Sequence, residues 1–226
     1  MLIYNELNKL VDIKNIEASE QKLAQQYILE NDCVLELGAR YGSVSCTINN
    51  KLKNKLNQVS VEPDSKVWDA LEKNKNINKC NFNIIKGFIS NNKLSLNYSG
   101  YGATSNINNN SKIPSYTLHE IKQTYNINKF NVIVADCEGF LEQFFDENPE
   151  LYDDIRLIIF EADYPNKCNY KKIKENLKNK GLFKIMEGHQ NVWSRDKSLK
   201  PVNLNLVTIP KKNMLLSLIN TRKYIK

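Results

Sequence analysis

The stretch Val34-Leu-Glu-Leu-Gly-Ala-Arg-Tyr-Gly42 decides the fold class of this chain of 226 residues. An apolar strand passes through Glu36 into a turn that contains Gly38 and Gly42, and a helical segment follows. Glycines allow backbone conformations closed to other residues, and the helix N-terminus offers free N–H groups to a ligand. The stretch predicts a strand–turn–helix cradle of the nucleotide-binding kind, although a glycine turn can also be purely structural.

A second stretch, Val59-Ser-Val-Glu-Pro63, strengthens the cradle hypothesis. It is another short apolar strand that ends in a carboxylate, Glu62, about 20 residues after the glycine turn. A carboxylate at this place accepts hydrogen bonds from the two hydroxyls of a ribose. Together the two stretches favour a cofactor that contains a nucleoside.

Outward from these two strands, short apolar segments alternate with segments of helical spacing, which is typical of a parallel sheet with crossover helices. We predict an α/β fold, a Rossmann-like seven-stranded, mostly parallel sheet flanked by helices. The predicted strands are 33–37, 58–62, 82–89, 131–136, 157–161, 183–187 with 191–194, and 203–209. The predicted helices are 16–29, 43–56, 64–74, 116–125, 141–145 and 170–180.

The length allows one complete domain, 1–226, with a full core. Within it we predict an N-terminal helical segment at 1–30, an inserted loop or hairpin at 91–114, and a C-terminal tail at 211–226. The inserted segment is rich in Asn, Ser and Gly and carries Tyr98 and Tyr101, so it is a candidate lid, as is the N-terminal segment.

The net charge of +7 comes from 28 Lys and 4 Arg against 25 acidic residues, and 33 Asn accompany them. Such a Lys- and Asn-rich, Arg-poor composition indicates a solvated surface and a source with an AT-rich genome, because nucleic-acid recognition relies on Arg. The five cysteines form no CxxC pair, which disfavours a disulfide framework and a zinc site. Without an apolar run long enough for a membrane span or a signal peptide, we expect a cytoplasmic protein.

The glycine turn differs from that of dinucleotide-binding proteins, because Arg40 occupies the place of the middle glycine in G-x-G-x-x-G. An acidic residue followed by Gly-x-x-x-Gly is the arrangement of S-adenosylmethionine sites. Residues 31–194 resemble the FkbM-type methyltransferases, which implies a class I methyltransferase fold for the single domain. The matching stretches are Glu36-Leu-Gly-Ala-Arg-Tyr-Gly42, Val61-Glu-Pro-Asp64, Tyr116-Thr-Leu-His-Glu-Ile121, Val134-Ala-Asp-Cys-Glu-Gly-Phe-Leu-Glu142 and Ile158-Ile-Phe-Glu161.

The resemblance implies a set of cofactor contacts. The glycine-turn residues and Glu36 would hold the methionine end of S-adenosylmethionine, and Glu62 the ribose. Phe88 and Ile89 would flank the adenine, where an apolar side chain stacks well, unless they are only core. The cofactor-binding residues are thus Glu36, Gly38, Ala39, Arg40, Gly42, Glu62, Pro63, Phe88, Ile89 and Asp136.

Asp136 and Glu138 are the strongest candidates for the reactive centre. Asp136 ends the fourth predicted strand, at the carboxyl edge where open α/β sheets bind their ligands. Two carboxylates at i and i+2 crowd like charges, and we expect this crowding to raise one pKa toward the value that a general base needs. The alternative is an Asx-type turn that caps the next helix.

Two further catalytic candidates are Glu161, at the end of the fifth strand, and His189, in a later turn. An imidazole titrates near neutral pH and can remove a hydroxyl proton, although a lone histidine in a turn is often only polar surface. Asp136, Glu161 and Asp163 offer the oxygen ligands that Mg²⁺ prefers, so Mg²⁺ is a candidate second cofactor.

The sequence therefore predicts an S-adenosylmethionine-dependent O-methyltransferase. The expected acceptor is a hydroxyl of a small molecule, and the resemblance favours a sugar or a glycan precursor. Two alternatives stay open: an RNA methyltransferase, and an S-adenosylmethionine-binding protein without catalysis. A nucleic-acid partner is not favoured, no membrane insertion is expected, and the oligomeric state, a homodimer included, is open.

Overall fold

The structure of the protein is a computed structural model that describes residues 1–99 and 102–204. Its strands are β1 (Ile3–Tyr4), β2 (Leu10–Val11), β3 (Val34–Leu37), β4 (Gln58–Glu62), β5 (Asn83–Lys86), β6 (Phe88–Ile89), β7 (Leu94–Ser99), β8 (Gly102–Ile107), β9 (Ser115–Tyr116), β10 (Val132–Ala135), β11 (Leu157–Glu161), β12 (Phe183–Met186) and β13 (Gln190–Ser194). Its helices are α1 (Ala18–Tyr27), α2 (Ser43–Lys51), α3 (Trp68–Ile77), α4 (Leu118–Thr124), α5 (Leu141–Glu147), α6 (Leu151–Asp154) and α7 (Tyr170–Asn179).

The central sheet has seven strands in the order β12-β13-β11-β10-β3-β4-β5. Neighbouring strands from β11 through β10, β3 and β4 to β5 are parallel, whereas β13 runs antiparallel to β11 and to β12. The prediction of a Rossmann-like, seven-stranded, mostly parallel sheet is therefore confirmed. The chain turns from β3 toward β4 on one side and later returns to β10 on the other, so the strand order reverses between β3 and β10. Ligands of open α/β sheets bind at such a reversal.

The central strands are buried on both faces, which explains their nearly continuous apolar sequences. One face of the sheet packs against α4, α5 and α7, through residues such as Leu35, Ile133 and Phe160. The other face packs against α1 and α2, through residues such as Val34 and Val134. Two apolar layers thus hold the sheet rigid and leave its carboxyl edge free for chemistry.

Three sequence predictions need correction. The predicted strand 82–89 is divided at Gly87, because the chain leaves the sheet there and β6 pairs with β9 instead. The predicted helical segment 1–30 is helical only in α1, since β1 and β2 precede it as a small antiparallel pair. Of the predicted strand 203–209, residues 203 and 204 are not in the sheet, and 205–209 lie outside the described residues, as does the predicted tail 211–226.

The sheet nevertheless reaches seven strands, since 183–187 and 191–194 correspond to two strands, β12 and β13, rather than one. Within the inserted segment 91–114, β7 and β8 form an antiparallel β-hairpin. Its candidate lid residue Tyr101 lies outside the described residues. Among the described helices, none is long and apolar enough to cross a membrane.

Candidate functional site

A cleft of about 850 Å³, open to solvent, lies over the carboxyl ends of β3, β4 and β10. We call it the principal cleft. Its walls include eight of the residues that the sequence singled out: Gly38, Arg40, Glu62, Pro63, Phe88, Ile89, Asp136 and Glu138. Ala39 and Gly42 do not line it. Ala39 is buried in an apolar cluster beneath the turn, and Gly42 is the N-cap of α2.

Two smaller spaces adjoin the principal cleft. The inner cavity, about 230 Å³, is bordered by Glu20, Glu36 and Val134. The outer cavity, about 1020 Å³ with its open mouth, is bordered by Glu161, His189 and Gln190. Asp136 lines all three spaces, so it stands where they meet.

The glycine turn brings two strands unusually close together. Gly38 has φ +90°, and a Cβ on this residue would overlap the backbone carbonyl oxygen of Asp136. The backbone N–H groups of Gly38 and Ala39 both donate to the Val61 carbonyl oxygen, at 3.0 Å. Only glycine fits this approach, and Gly38 lines the principal cleft with backbone atoms alone.

Glu62 organises the next wall of the cleft. Its two carboxylate oxygens accept hydrogen bonds from the backbone N–H groups of Arg40 and Asp64, each at 2.7 Å. Burial raises the pKa of Glu62 to about 7, although these two hydrogen bonds act in the opposite direction. The carboxylate is thus fixed in place, and each of its oxygens has lone-pair capacity for a further hydrogen bond.

Glu36 lies 1% exposed beneath the glycine turn and borders the inner cavity. Its Oε2 accepts from the Ser60 hydroxyl at 2.5 Å, and Gln58 donates to the Ser60 oxygen at 3.0 Å. Its Oε1 is buried without a hydrogen-bond partner. Burial raises the pKa of Glu36 to about 7. Hydrogen bonding from Ser45, Ser60 and Gln58 acts in the opposite direction. A buried carboxylate whose hydrogen bonds are incomplete can accept a further donor or a cation.

The raised pKa of Glu36 predicts how stability depends on pH. A carboxyl group whose pKa is higher in the folded than in the unfolded state binds more protons when folded, so its contribution falls as pH rises from about 4.5 to about 7. Glu36→Gln removes this titration. We therefore expect the variant to gain stability relative to the wild type between pH 5 and pH 8, by on the order of 3 kcal/mol.

Urea unfolding of the ligand-free protein at both pH values measures this difference. Glu72→Gln is the matched control, because the Glu72 side chain is half exposed on α3 and pairs with Lys86 at 2.7 Å. It should follow the wild type at both pH values. If the free energy of unfolding of Glu36→Gln changes between pH 5 and pH 8 by the same amount as that of the wild type, the raised pKa is wrongly assigned to Glu36.

Asp136 follows β10 directly, and burial raises its pKa to about 7 with smaller contributions from Glu20 and Glu138. The pKa of Glu138 is also raised to about 7, chiefly by burial and then by a hydrogen bond shared with Asp163. The sequence correctly placed these carboxylates together, but burial outweighs the expected crowding of Asp136 by Glu138. Asp136 does not cap the following helix, because the N-cap of α5 is Phe140 and makes no side-chain capping bond.

Glu161 and His189 meet at the outer cavity. His189 Nε2 lies 3.2 Å from Glu161 Oε1, and two thirds of the histidine side chain is exposed. Gln190 donates to Glu161 Oε2 at 2.7 Å and also to Glu20. Burial raises the pKa of Glu161 to about 10, and a hydrogen bond with Glu20 adds to the shift. His189 thus lies at the rim of the outer cavity, and the Glu161 carboxyl lies between it and Asp136.

Two acidic residues of this region have no motif in the sequence. Glu17 lines all three spaces, and Glu20 lines the inner and outer ones. Glu20 does leave a signal, because it begins the buried stripe Glu20, Leu23, Ala24, Tyr27 on α1, where a charged residue is unexpected. For Glu17 we find no such pattern.

The opposite wall of the principal cleft is apolar. Phe88 and Ile89 line it, and the ring centroid of Phe140 lies 6.0 Å from that of Phe88. The hairpin covers this side through Leu96 and Ala103, and Tyr98 of the hairpin donates to Asp64 at 3.0 Å. One side of the cleft can therefore receive a flat apolar group, while the other presents carboxylates.

The carboxylates form two sets whose oxygens lie within 4.8 Å of one another. One set is Glu20, Asp136 and Glu161, and the other is Asp136, Glu138 and Asp163. The predicted Mg²⁺ ligands Asp136, Glu161 and Asp163 are thus divided between two clusters. The Mg²⁺ hypothesis stays a prediction, since clustered acidic groups also occur without a metal.

No protein-family model matches the chain, and no curated protein matches its sequence. Solved structures with a similar backbone include a ribosomal protein L11 methylase from Lactobacillus delbrueckii subsp. bulgaricus, with 14% identity over 78% of this chain and 76% of that chain, at a TM-score of 0.47. A precorrin-6y C5,15-methyltransferase from Geobacter metallireducens is 12% identical over 79% of this chain and 85% of that chain, with a TM-score of 0.47. A protein of the NADB-Rossmann superfamily from Streptococcus agalactiae is 8% identical over 89% of this chain and 82% of that chain, with a TM-score of 0.49.

Proposed function

We propose that the protein is an S-adenosylmethionine-dependent methyltransferase that acts on a hydroxyl of a small neutral molecule, with a sugar as the favoured acceptor. One observation carries the proposal. The principal cleft at the strand reversal combines a glycine turn with a fixed carboxylate at the end of β4, and the adjoining inner cavity holds the buried Glu36 carboxylate. These three features can bind the amino-acid end, the ribose and the positively charged groups of the cofactor, respectively.

The residues of the cleft fit this cofactor. The Glu36 oxygen without a partner faces the region below Gly38, where an ammonium group or a bridging water supplies the missing donor. Glu62 is positioned to accept hydrogen bonds from ribose hydroxyls. The apolar wall of Phe88, Ile89 and Phe140 suits the adenine ring.

When bound, the cofactor supplies an activated methyl group, whose carbon–sulfur electron pair returns to sulfur as the acceptor oxygen attacks. Asp136 lies where the principal cleft meets the outer cavity, so its carboxylate can take the proton that the acceptor hydroxyl loses. Its raised pKa of about 7 suits a base at neutral pH. Glu138 adds a second carboxyl at the same place, and both orient the acceptor by hydrogen bonds.

The lining of the outer cavity argues for a neutral acceptor. Its carboxyl groups are those of Glu17, Glu20, Asp136, Glu161 and Glu187, and Lys14 is the single lysine among the described lining residues. A polyanion such as RNA depends on several basic contacts to its phosphates, and this lining offers one. Sugar hydroxyls, in contrast, bind well to carboxylates, because each oxygen accepts hydrogen bonds.

Titration calorimetry with S-adenosylmethionine tests the binding half of the proposal. The wild type should bind, and Glu62→Ala should bind 10- to 100-fold more weakly, as expected for the loss of hydrogen bonds to a buried carboxylate. Glu72→Ala, on the exposed side of α3, should bind like the wild type. Absence of binding by the wild type would overturn the proposal.

Transfer of a radiolabelled methyl group tests the acceptor half. Neutral sugars, nucleotide sugars, catechol-type alcohols and RNA are offered to the wild type in parallel, and label in a sugar is the expected result. Label in RNA would favour the alternative that the acidic lining disfavours. Binding without transfer to any of these acceptors would favour a protein that binds the cofactor without catalysis.

A further inference from the structure

Glu17 occupies an unusual place between the binding spaces. It precedes α1 as its N-cap residue, yet its side chain lines the principal cleft, the inner cavity and the outer cavity. Asp136, which we assign as the base, lines the same three spaces. The Glu17 carboxylate therefore stands at the junction where the proposed methyl donor and its acceptor must meet.

The backbone of Glu17 is strained. Its φ of 47° and ψ of 33° place a glutamate in the left-handed region, which residues other than Gly, Asn and Asp rarely adopt. Tertiary contact holds it there, because the Ser43 hydroxyl donates to the Glu17 carboxylate. Ser43 is the first residue of α2, directly after the glycine turn. Strained residues of this kind concentrate at ligand-binding sites.

We propose that Glu17 is a specificity-determining residue, which favours the positively charged methyl donor over its neutral by-product, S-adenosylhomocysteine. This inference rests on the function proposed above. A carboxylate in a partly buried site attracts a cation far more strongly than it does in water. Methyl transfer removes the positive charge from sulfur, so the same carboxylate stops favouring the ligand once the reaction is over.

The surroundings of Glu17 support this selection. Burial raises the pKa of Glu17 to about 8, and repulsion by Asp136, Glu36 and Glu20 adds smaller contributions, while the hydrogen bond from Ser43 acts in the opposite direction. A cation placed among these groups relieves the repulsion and favours their ionised forms. A neutral ligand leaves the repulsion in place. The preference thus follows from the arrangement of charges and needs no movement of the chain.

The variant Glu17→Asn separates the role in binding from the role in folding. Asparagine tolerates the left-handed conformation better than glutamate and carries no charge to bury, so the midpoint of thermal unfolding should be unchanged or higher. By calorimetry at pH 8.5, where Glu17 is ionised, S-adenosylmethionine should bind about tenfold more weakly than to the wild type. The affinity for S-adenosylhomocysteine should stay within twofold.

Lys79→Asn is the matched control. Lys79 also has a positive φ, 54°, but it lines none of the three spaces, so both affinities should equal those of the wild type. An equal loss for both ligands in Glu17→Asn, or no loss for either, would overturn the inference while the proposed function stands. Failure of the wild type to bind S-adenosylmethionine would instead overturn the proposed function, and this inference with it.

Discussion

Gly38→Ala should abolish cofactor binding and lower the free energy of unfolding by about 3 kcal/mol. The added Cβ would overlap the Asp136 carbonyl oxygen, which belongs to rigid backbone and cannot turn aside as a side chain would. The φ of +90° at Gly38 adds conformational strain for any other residue. Relief requires β3 and β10 to separate at their carboxyl ends, where the principal cleft begins. Urea unfolding and calorimetry with S-adenosylmethionine measure the two effects.

Gly181→Ala provides the control for conformational strain alone. Gly181 has a similar φ, +82°, after α7, but a Cβ there meets only the end of Arg195, at 3.6 Å. This variant should lose about 1 kcal/mol of stability and bind the cofactor normally. If Gly38→Ala loses no more than Gly181→Ala and binds as the wild type does, the close approach of the two strands plays no part in the site.

The sequence predicts the framework of this site well, because its key residues lie at the ends of strands. Glu36, Glu62 and Asp136 each interrupt or end an apolar run, and parallel strands bring their carboxyl ends to one edge. Once the strands are assigned, their proximity follows from the topology. Phe88 and Ile89, which the family resemblance suggested as neighbours of the adenine, line the principal cleft and also belong to the main apolar core, and the break at Gly87 was not foreseen.

Residues that are far from the strand ends in sequence, and that reach the site through tertiary packing, cannot be predicted in this way. Glu17 and Glu20 approach Asp136 only because α1 packs beside α2 on one face of the sheet. The packing depends on apolar side chains that specify no partner individually, so the contact has no local signature. A buried charge in an apolar helical stripe, as at Glu20, is the kind of signal that survives in sequence.

The sequence predicted that a carboxyl pKa at the site is raised, but it did not predict the main cause of the shift. Crowding of Asp136 and Glu138 was expected to raise a pKa, and both values are indeed raised to about 7. Burial is the larger cause for each, and the neighbour that most affects Glu138 is Asp163. Depth of burial depends on the hairpin and on α1, neither of which a motif near Asp136 encodes.

Asp136→Asn should reduce methyl transfer by at least about 100-fold, because the variant loses the group that accepts the acceptor's proton. The amide has nearly the same volume and carries no charge to bury, so the thermal unfolding midpoint at neutral pH should be unchanged or higher. The wild-type rate should rise with pH, reach half its maximum near pH 7 and level off above about pH 8, since a base with a pKa of about 7 is active only when ionised. The residual rate of Asp136→Asn should lack this rise. Transfer of labelled methyl to the acceptor identified by the panel measures both.

Comparison with Glu138→Gln shows which carboxylate is the base. Glu138 is a second carboxyl group in the principal cleft, so its replacement removes an orienting group but leaves the charge of Asp136. We expect a smaller loss of rate, and the rise of the rate with pH should be preserved.

Asp146→Asn, which changes an exposed carboxylate paired with Lys172 on the outside of α5, should leave the rate unaltered. A wild-type rate in Asp136→Asn, or loss of the pH dependence only in Glu138→Gln, would move the role of the base to Glu138. Because Asp136 alone of the two borders the outer cavity, that result would also place the acceptor on the hairpin side of the principal cleft.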